Sequence, residues 1–82
     1  MVTLSEFIKE EVNDHIKNVI LEAIKEGKAS NKTNDELVFN RYSLELDFTK
    51  EKVTIYDDVF SEDESLSIQL EHFINAILNK SE

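Results

Sequence analysis

The hydrophobic period of this chain changes part-way along, and that change restricts the fold more than any other feature. Between residues 4 and 23, apolar side chains recur three or four positions apart, which is the spacing of one helical face. Between residues 42 and 48, and again from 53 to 55, they occupy every second position, as in a strand with one buried face. The sequence therefore predicts an α+β domain.

The first apolar stripe predicts one long N-terminal helix over about residues 4 to 26. Thr3 is the expected N-cap, and Glu6 three residues later would complete a capping box. Gly27, the only glycine of the chain, follows the stripe and is expected to close the helix in the left-handed conformation. At 1.5 Å per residue, such a helix would be about 35 Å long.

The alternating segments predict an antiparallel β-hairpin. Residues 49 to 52 have the length of a four-residue hairpin loop, and pairing Leu46 with Ile55 keeps the apolar residues of both strands on one face. Residues 28 to 36 are polar and are expected to form a surface loop. The segment 36 to 39 has the opposite phase, so we expect it either to join the first strand through a bulge or to belong to the loop.

The C-terminal segment allows two interpretations. One is a helix from about 62 to 79, which Ser61 and Glu64 would cap as a second capping box. The other is a short third strand over residues 65 to 69 followed by a helix from about 70, which explains why Ile68 lies off the helical stripe. Either way, residues 1–82 form a single small domain, with the helices packed on one face of the sheet.

Composition excludes several classes of function. The chain has 18 acidic and 9 basic residues, a net charge of −9, so it should repel nucleic acid and anionic membranes and favour a basic protein partner. It has no cysteine, no calcium-loop motif and no combination of nucleophile, base and orienting residue. We therefore expect neither an enzyme nor a cofactor or metal. The absence of a signal peptide and of a membrane-length apolar run predicts a cytoplasmic location.

Most of the excess negative charge lies between residues 35 and 64, where ten acids face three bases. These carboxylates are expected to form one acidic surface for a basic partner, with an aromatic side chain as an apolar anchor. The predicted partner-binding residues are Glu45, Asp47, Asp57, Asp58, Phe60, Glu62, Asp63 and Glu64. For the last three acids, the alternative is that they only stabilise the first turn of the C-terminal helix.

The layout of a hairpin, an acidic segment and the closing stretch SLSIQLEHFINAILNK resembles two families of small acidic proteins. These are the phage-encoded anti-CRISPR proteins that mimic DNA and the bacterial toxin-immunity proteins. The resemblance covers about half of the chain and includes no specific motif. It implies a non-enzymatic inhibitor that blocks a basic nuclease or other nucleic-acid-binding protein by charge mimicry, through Asp57, Asp58, Glu62, Asp63 and Glu64. The alternatives are an immunity protein or antitoxin, and a structural domain that forms a homodimer.

Overall fold

The fold is α+β, as the change of period predicts. The structure, a computed structural model, describes residues 3–57 and 61–79, and from residue 61 to 64 only the backbone. The four strands form one antiparallel sheet in the order β1-β2-β3-β4. The elements are α1 (Leu4–Glu11), α2 (Asp14–Ala29), β1 (Asn34–Val38), β2 (Tyr42–Asp47), β3 (Lys52–Asp57), β4 (Ser61–Gln69) and α3 (Leu70–Leu78).

The prediction of a single long N-terminal helix is wrong, because the backbone leaves the helical conformation after α1. Thr3 caps α1 as expected, since its Oγ1 accepts the backbone N–H of Glu6 at 3.1 Å. Val12 then adopts an extended conformation and is buried. Asn13 caps a second helix, with its Oδ1 accepting the N–H of Ile16 at 2.8 Å. A short polar side chain that bonds the backbone three residues ahead begins a helix, and here it does so inside an unbroken apolar stripe.

The second helix ends later than the lone glycine suggests. It continues through Gly27 to Ala29, and Gly27 does not have positive φ. The left-handed residue is Asn31, at φ 57°. The N–H of Lys32 donates to the carbonyl of Gly27 at 2.9 Å, and that of Asn31 donates to the carbonyl of Lys28 at 3.4 Å. This pair of bonds is the Schellman motif, with asparagine at the position that glycine usually occupies.

Gly27 is required for close packing rather than for its φ angle. It is buried, and a Cβ added to it would overlap the ring of Phe48. The absence of a side chain therefore lets the last turns of α2 approach the turn between β2 and β3. Glycine within a helix costs about 1 kcal/mol relative to alanine, and this contact offsets that cost.

Replacing Asn31 by glycine is expected to stabilise the protein by about 0.5–1 kcal/mol. Glycine reaches positive φ without the steric penalty that a Cβ imposes there. Asn31→Ala, which keeps a Cβ and loses the polar side chain, should be less stable than wild type. Urea unfolding of the three proteins tests the assignment. A glycine variant less stable than the alanine variant would show that the helix does not end in this motif.

The segment in the opposite phase is a separate strand, so both expectations for it are wrong. Residues 36–38 belong to β1, which pairs antiparallel with β2 and sets Leu37 opposite Leu44. The N–H of Phe39 donates to the carbonyl of Tyr42 at 2.8 Å and closes a tight turn between the two strands. The phase changes because the chain reverses direction at this turn. The polar loop before β1 is accordingly shorter than predicted.

The β2–β3 hairpin is confirmed, with a register that differs by two residues from the expected pairing. Leu46 pairs with Val53, and the loop consists of residues 48–51. A shift of two residues keeps the same side chains on the buried face, because side chains alternate with a period of two. Phe48 leaves the strand and lies against Gly27 instead.

For the C-terminal segment, the prediction of a strand followed by a helix is confirmed. The alternative prediction, a helix from about residue 62 that begins with a capping box, is wrong. The strand β4 is longer than expected, and Ile68 pairs with Val53 of β3. This pairing gives Ile68 a place beside the core without a position on the helical stripe. The helix α3 begins directly after the strand.

The helices contribute to a core on one face of the sheet, as predicted. The buried core residues are Phe7, Val12, Ile20 and Ile24 from the N-terminal part, Tyr42, Leu44, Leu46, Val53 and Ile55 from the sheet, and Leu70, Phe73 and Ile77 from α3. Among the described residues, no helix is long and apolar enough to cross a membrane.

Candidate functional site

The second face of the sheet, opposite the core, carries mostly polar and charged side chains. We call this surface the open face. In the observed register it consists of Asn34, Glu36, Val38, Ser43, Glu45, Asp47, Lys52, Thr54, Tyr56, Ser65, Ser67 and Gln69. It places Glu45 and Asp47 on one surface, as the alternation of the sequence predicts.

At one side of the open face, two glutamates lie directly opposite each other. Glu36 of β1 pairs with Glu45 of β2, and both side chains are exposed. Like charges in directly opposed positions of adjacent strands destabilise a sheet. Within the described part of the chain, neither carboxylate forms an ion pair with a lysine or arginine. The negative charge of this pair is therefore not neutralised by the protein's own side chains there.

Tyr56 lies beside this pair. Its hydroxyl donates to Oε1 of Glu45 at a long 3.5 Å. Burial of the ring raises the pKa of Tyr56. The negative charge of Glu45 and the hydrogen bond between Tyr56 and Glu45 raise this pKa further. The hydroxyl is thus held protonated as a donor, and the ring gives the otherwise polar open face an aromatic side chain.

Asp47 has a local structural role at the end of β2. Its Oδ1 accepts the backbone N–H of Lys50 at 2.9 Å and so stabilises the turn to β3. Lys52 is its cross-strand neighbour, and opposite charges in that position attract each other. Asp47 therefore belongs to the open face but carries less of its uncompensated charge than the glutamate pair does.

Asp57 does not lie on the predicted acidic surface. Its side chain is only 3% exposed and faces the core side, in phase with Val53 and Ile55. The Nη2 of Arg41 donates to its Oδ2 at 2.9 Å, and Nε lies 3.3 and 3.4 Å from the two carboxylate oxygens. The same alternation that identified the strand places this aspartate inward, where an arginine compensates its charge.

Arg41, the only arginine of the chain, connects three elements, and sequence reasoning overlooked it. Besides Asp57 on β3, it reaches Glu10 of α1 through Nη1 at 3.5 Å, while its backbone N–H donates to Oε1 of Glu11 at 3.1 Å. The guanidinium carbon lies 4.9 Å from the centre of the Tyr42 ring. The hydrogen bond with Asp57 is the largest cause that raises the pKa of Arg41.

Tyr42 itself brings a polar atom into the core. Its hydroxyl is buried and has no hydrogen-bond partner among the described residues. Burial raises the pKa of Tyr42, and the nearby positive charge of Arg41 opposes that shift. The phenol therefore stays neutral beside the ion pair.

The other predicted site residues follow β3. Asp58 and Phe60 lie outside the described residues. The acidic triplet lies on β4, where only the backbone is described, and α3 begins at Leu70. Its expected role in the first turn of a helix is therefore wrong. The triplet consists of Glu62, Asp63 and Glu64.

The acidic triplet coincides with a break in the pairing of β3 with β4. Tyr56 pairs with Ser65, but the next residue, Asp57, pairs with Ser61. The triplet thus lies between two successive pairs and has no counterpart on β3 in that register. Since β4 is an edge strand, a bulge at this place disfavours edge-to-edge association with another sheet.

No family model, curated protein or solved structure matches the chain. Within the described ranges, no group of three or more histidine and carboxylate side chains is arranged to hold a metal ion.

Proposed function

We propose that this protein is a non-enzymatic inhibitor that binds a basic surface of a nucleic-acid-handling protein through its open face. The glutamate pair carries the proposal. Glu36 and Glu45 oppose each other on a sheet where their repulsion lowers the stability of the free protein. A basic partner that inserts lysine or arginine side chains between them would remove that repulsion and gain charge-assisted hydrogen bonds.

The rigid sheet supports this role because it fixes the spacing of the negative charges. Glu45 and Asp47 lie two positions apart on β2, which separates them by about 7 Å. Glu36 lies on the neighbouring strand, about 5 Å from Glu45 between Cβ atoms. A partner that binds the evenly spaced phosphates of nucleic acid would find carboxylates here in a preformed array. Because the sheet already fixes the backbone, binding has to order only the glutamate side chains.

Neutralising the pair should separate stability from binding. In the double variant Glu36→Gln/Glu45→Gln, the free energy of unfolding should rise by up to about 1 kcal/mol as the repulsion disappears. Binding to the partner should fall by about tenfold or more, because one close interfacial charge pair contributes about 1.5 kcal/mol or more. Urea unfolding and affinity capture from the native host, followed by mass spectrometry and titration of the captured protein, measure the two effects.

The matched control is Glu22→Gln/Glu26→Gln, which removes the same charge from exposed positions of α2. It should leave binding almost unchanged at moderate salt. The captured protein should bind nucleic acid when alone, and wild-type inhibitor should compete with that nucleic acid. An immunity protein is distinguished by a toxin as the captured protein. A partner without affinity for nucleic acid, or equal binding by both double variants, would refute the proposal.

A further inference from the structure

A groove separates the break between α1 and α2 from the turn between β1 and β2. It has a volume of about 550 Å³. Its lining residues are Glu10, Glu11, Asn13 and Ile16 on the helical side and Val38, Phe39 and Asn40 on the strand side. The groove therefore combines two carboxylates with apolar side chains. Its strand side adjoins the open face, because Val38 lies two positions from Glu36 on the same face of β1.

The two carboxylates retain their net negative charge although Arg41 is close. Among the described residues, the guanidinium makes its shortest contact, 2.9 Å, with buried Asp57, and that pair is neutral as a unit. Glu10 is half exposed and lies 3.5 Å from Nη1 of Arg41, which is a long contact. Glu11 accepts only a backbone N–H from Arg41 among the contacts described here. The groove consequently presents two negative charges that the Arg41–Asp57 pair does not cancel.

Among the apolar residues that line the groove, only Val38 is exposed. Val38 is 70% exposed. Burial of a valine side chain is favourable, so a partner that covers Val38 would gain binding free energy. Phe39 and Ile16 also line the groove, and both are partly buried against the core. A long basic side chain fits such a site, because its aliphatic stem packs on apolar atoms while its charged head reaches the carboxylates.

From this combination of charge and apolar surface, we infer that the groove binds an arginine or lysine side chain of a protein partner, with an apolar neighbour in the partner's chain covering Val38. An anionic ligand is disfavoured by the two glutamates. This docking site does not rest on the proposed function of the open face, because its two carboxylates lie on α1 and not on the sheet. The two surfaces share only Val38 at their border.

An acetylated, amidated peptide with one arginine between two leucines serves as the probe. In a titration followed by ¹⁵N–¹H NMR, we expect the largest shift changes at the amides of residues 10–13 and 38–40. Glu10→Gln should weaken the peptide's affinity by about three- to tenfold, since one carboxylate contact to the guanidinium is lost. Val38→Ala should weaken it as well, through the leucine contact.

Glu6→Gln is the matched control, because Glu6 is exposed on the same helix but does not line the groove. It should leave the affinity unchanged. A second peptide in which citrulline replaces arginine should bind more weakly, because citrulline has the same shape and no charge. The inference is refuted if both peptides bind equally, if the shifts occur at Glu36 and Glu45 instead, or if the groove amides shift with protein concentration alone. The last result would assign the groove to a second copy of the chain.

Discussion

Replacing Phe7 by alanine is expected to lower the free energy of unfolding by about 4 kcal/mol. The Phe7 side chain is fully buried, and its ring meets that of Tyr42 edge-on at a centroid distance of 5.3 Å. The rings of Phe73 and Phe39 lie 6.1 and 6.4 Å away. Phe7 thus joins α1 to the sheet and to α3, and its removal would leave a cavity that three separate elements cannot readily fill.

The size of the domain makes this loss severe. A folded chain of 82 residues has a total stability of roughly 4–12 kcal/mol, so one aromatic core residue represents a large part of it. Urea unfolding followed by circular dichroism measures the change. Val38→Ala provides the contrast, because Val38 is exposed and its truncation should alter stability by no more than about 0.5 kcal/mol. Similar losses in the two variants would show that α1 does not pack against the sheet as described.

The strands were predictable where one face is buried and the other is exposed to solvent. Apolar and polar residues alternate over 42–47 and 53–55, and burial of one face is enough to produce that pattern, although Ser43 on the other face is buried as well. The pairing register was not predictable in the same way. It depends on Phe48, which has a position in the alternation but packs on Gly27, a residue distant in sequence. A local pattern contains no information about that competing contact.

The break between α1 and α2 shows a different limit. Ile8, Val12 and Ile16 keep helical spacing across the break, so the apolar stripe cannot reveal that Val12 is extended. The one local signal is Asn13, whose short polar side chain favours an N-cap over a helix interior. For β1, the change of phase was visible in the sequence, and recognising a tight turn at Asn40 and Arg41 would have explained it.

The candidate site was harder to predict than the fold, because charge patterns do not show which carboxylates are compensated. Glu45 and Asp47 lie on the open face as their alternation indicates. Asp57 occupies a position of its strand that faces the core. The sequence shows whether the charge of such an acid is compensated only if its basic partner can be identified. That partner is Arg41, 16 positions earlier in the sequence. The number of acidic residues in a sequence does not show which carboxylates are paired with a basic residue and which are not.

The second large effect is expected at this ion pair. Asp57→Ala should destabilise the protein by about 2–3 kcal/mol, because it removes the buried carboxylate that lies 2.9 Å from the guanidinium of Arg41. The value lies at the low end for a buried pair, since the Arg41 side chain is 28% exposed and can turn towards water. Asp57→Asn keeps the shape and should recover part of the loss through a neutral hydrogen bond.

The exposed pair of Lys32 and Asp35 is the internal standard for this experiment. Its atoms are 3.7 Å apart, with 49% and 30% of the side chains exposed, so Asp35→Asn should cost less than about 0.5 kcal/mol. Urea unfolding at low salt and at 1 M NaCl separates the two cases. At 1 M NaCl, most of the small loss of stability caused by Asp35→Asn should disappear. Most of the loss caused by Asp57→Ala should remain, because salt screens buried charges poorly.

A loss at Asp57 that matches the loss at Asp35, or one that disappears in high salt, would show that the Arg41 pair is effectively solvated. Asp57 would then become available to a partner, as its position in an acidic segment first indicated. If the loss is large and resists salt, a binding defect in any Asp57 variant reports misfolding around α1 and the β1–β2 turn. Binding through carboxylates is then measured only with residues whose neutralisation leaves the fold intact, and the glutamate pair Glu36 and Glu45 meets that condition because its neutralisation should increase stability.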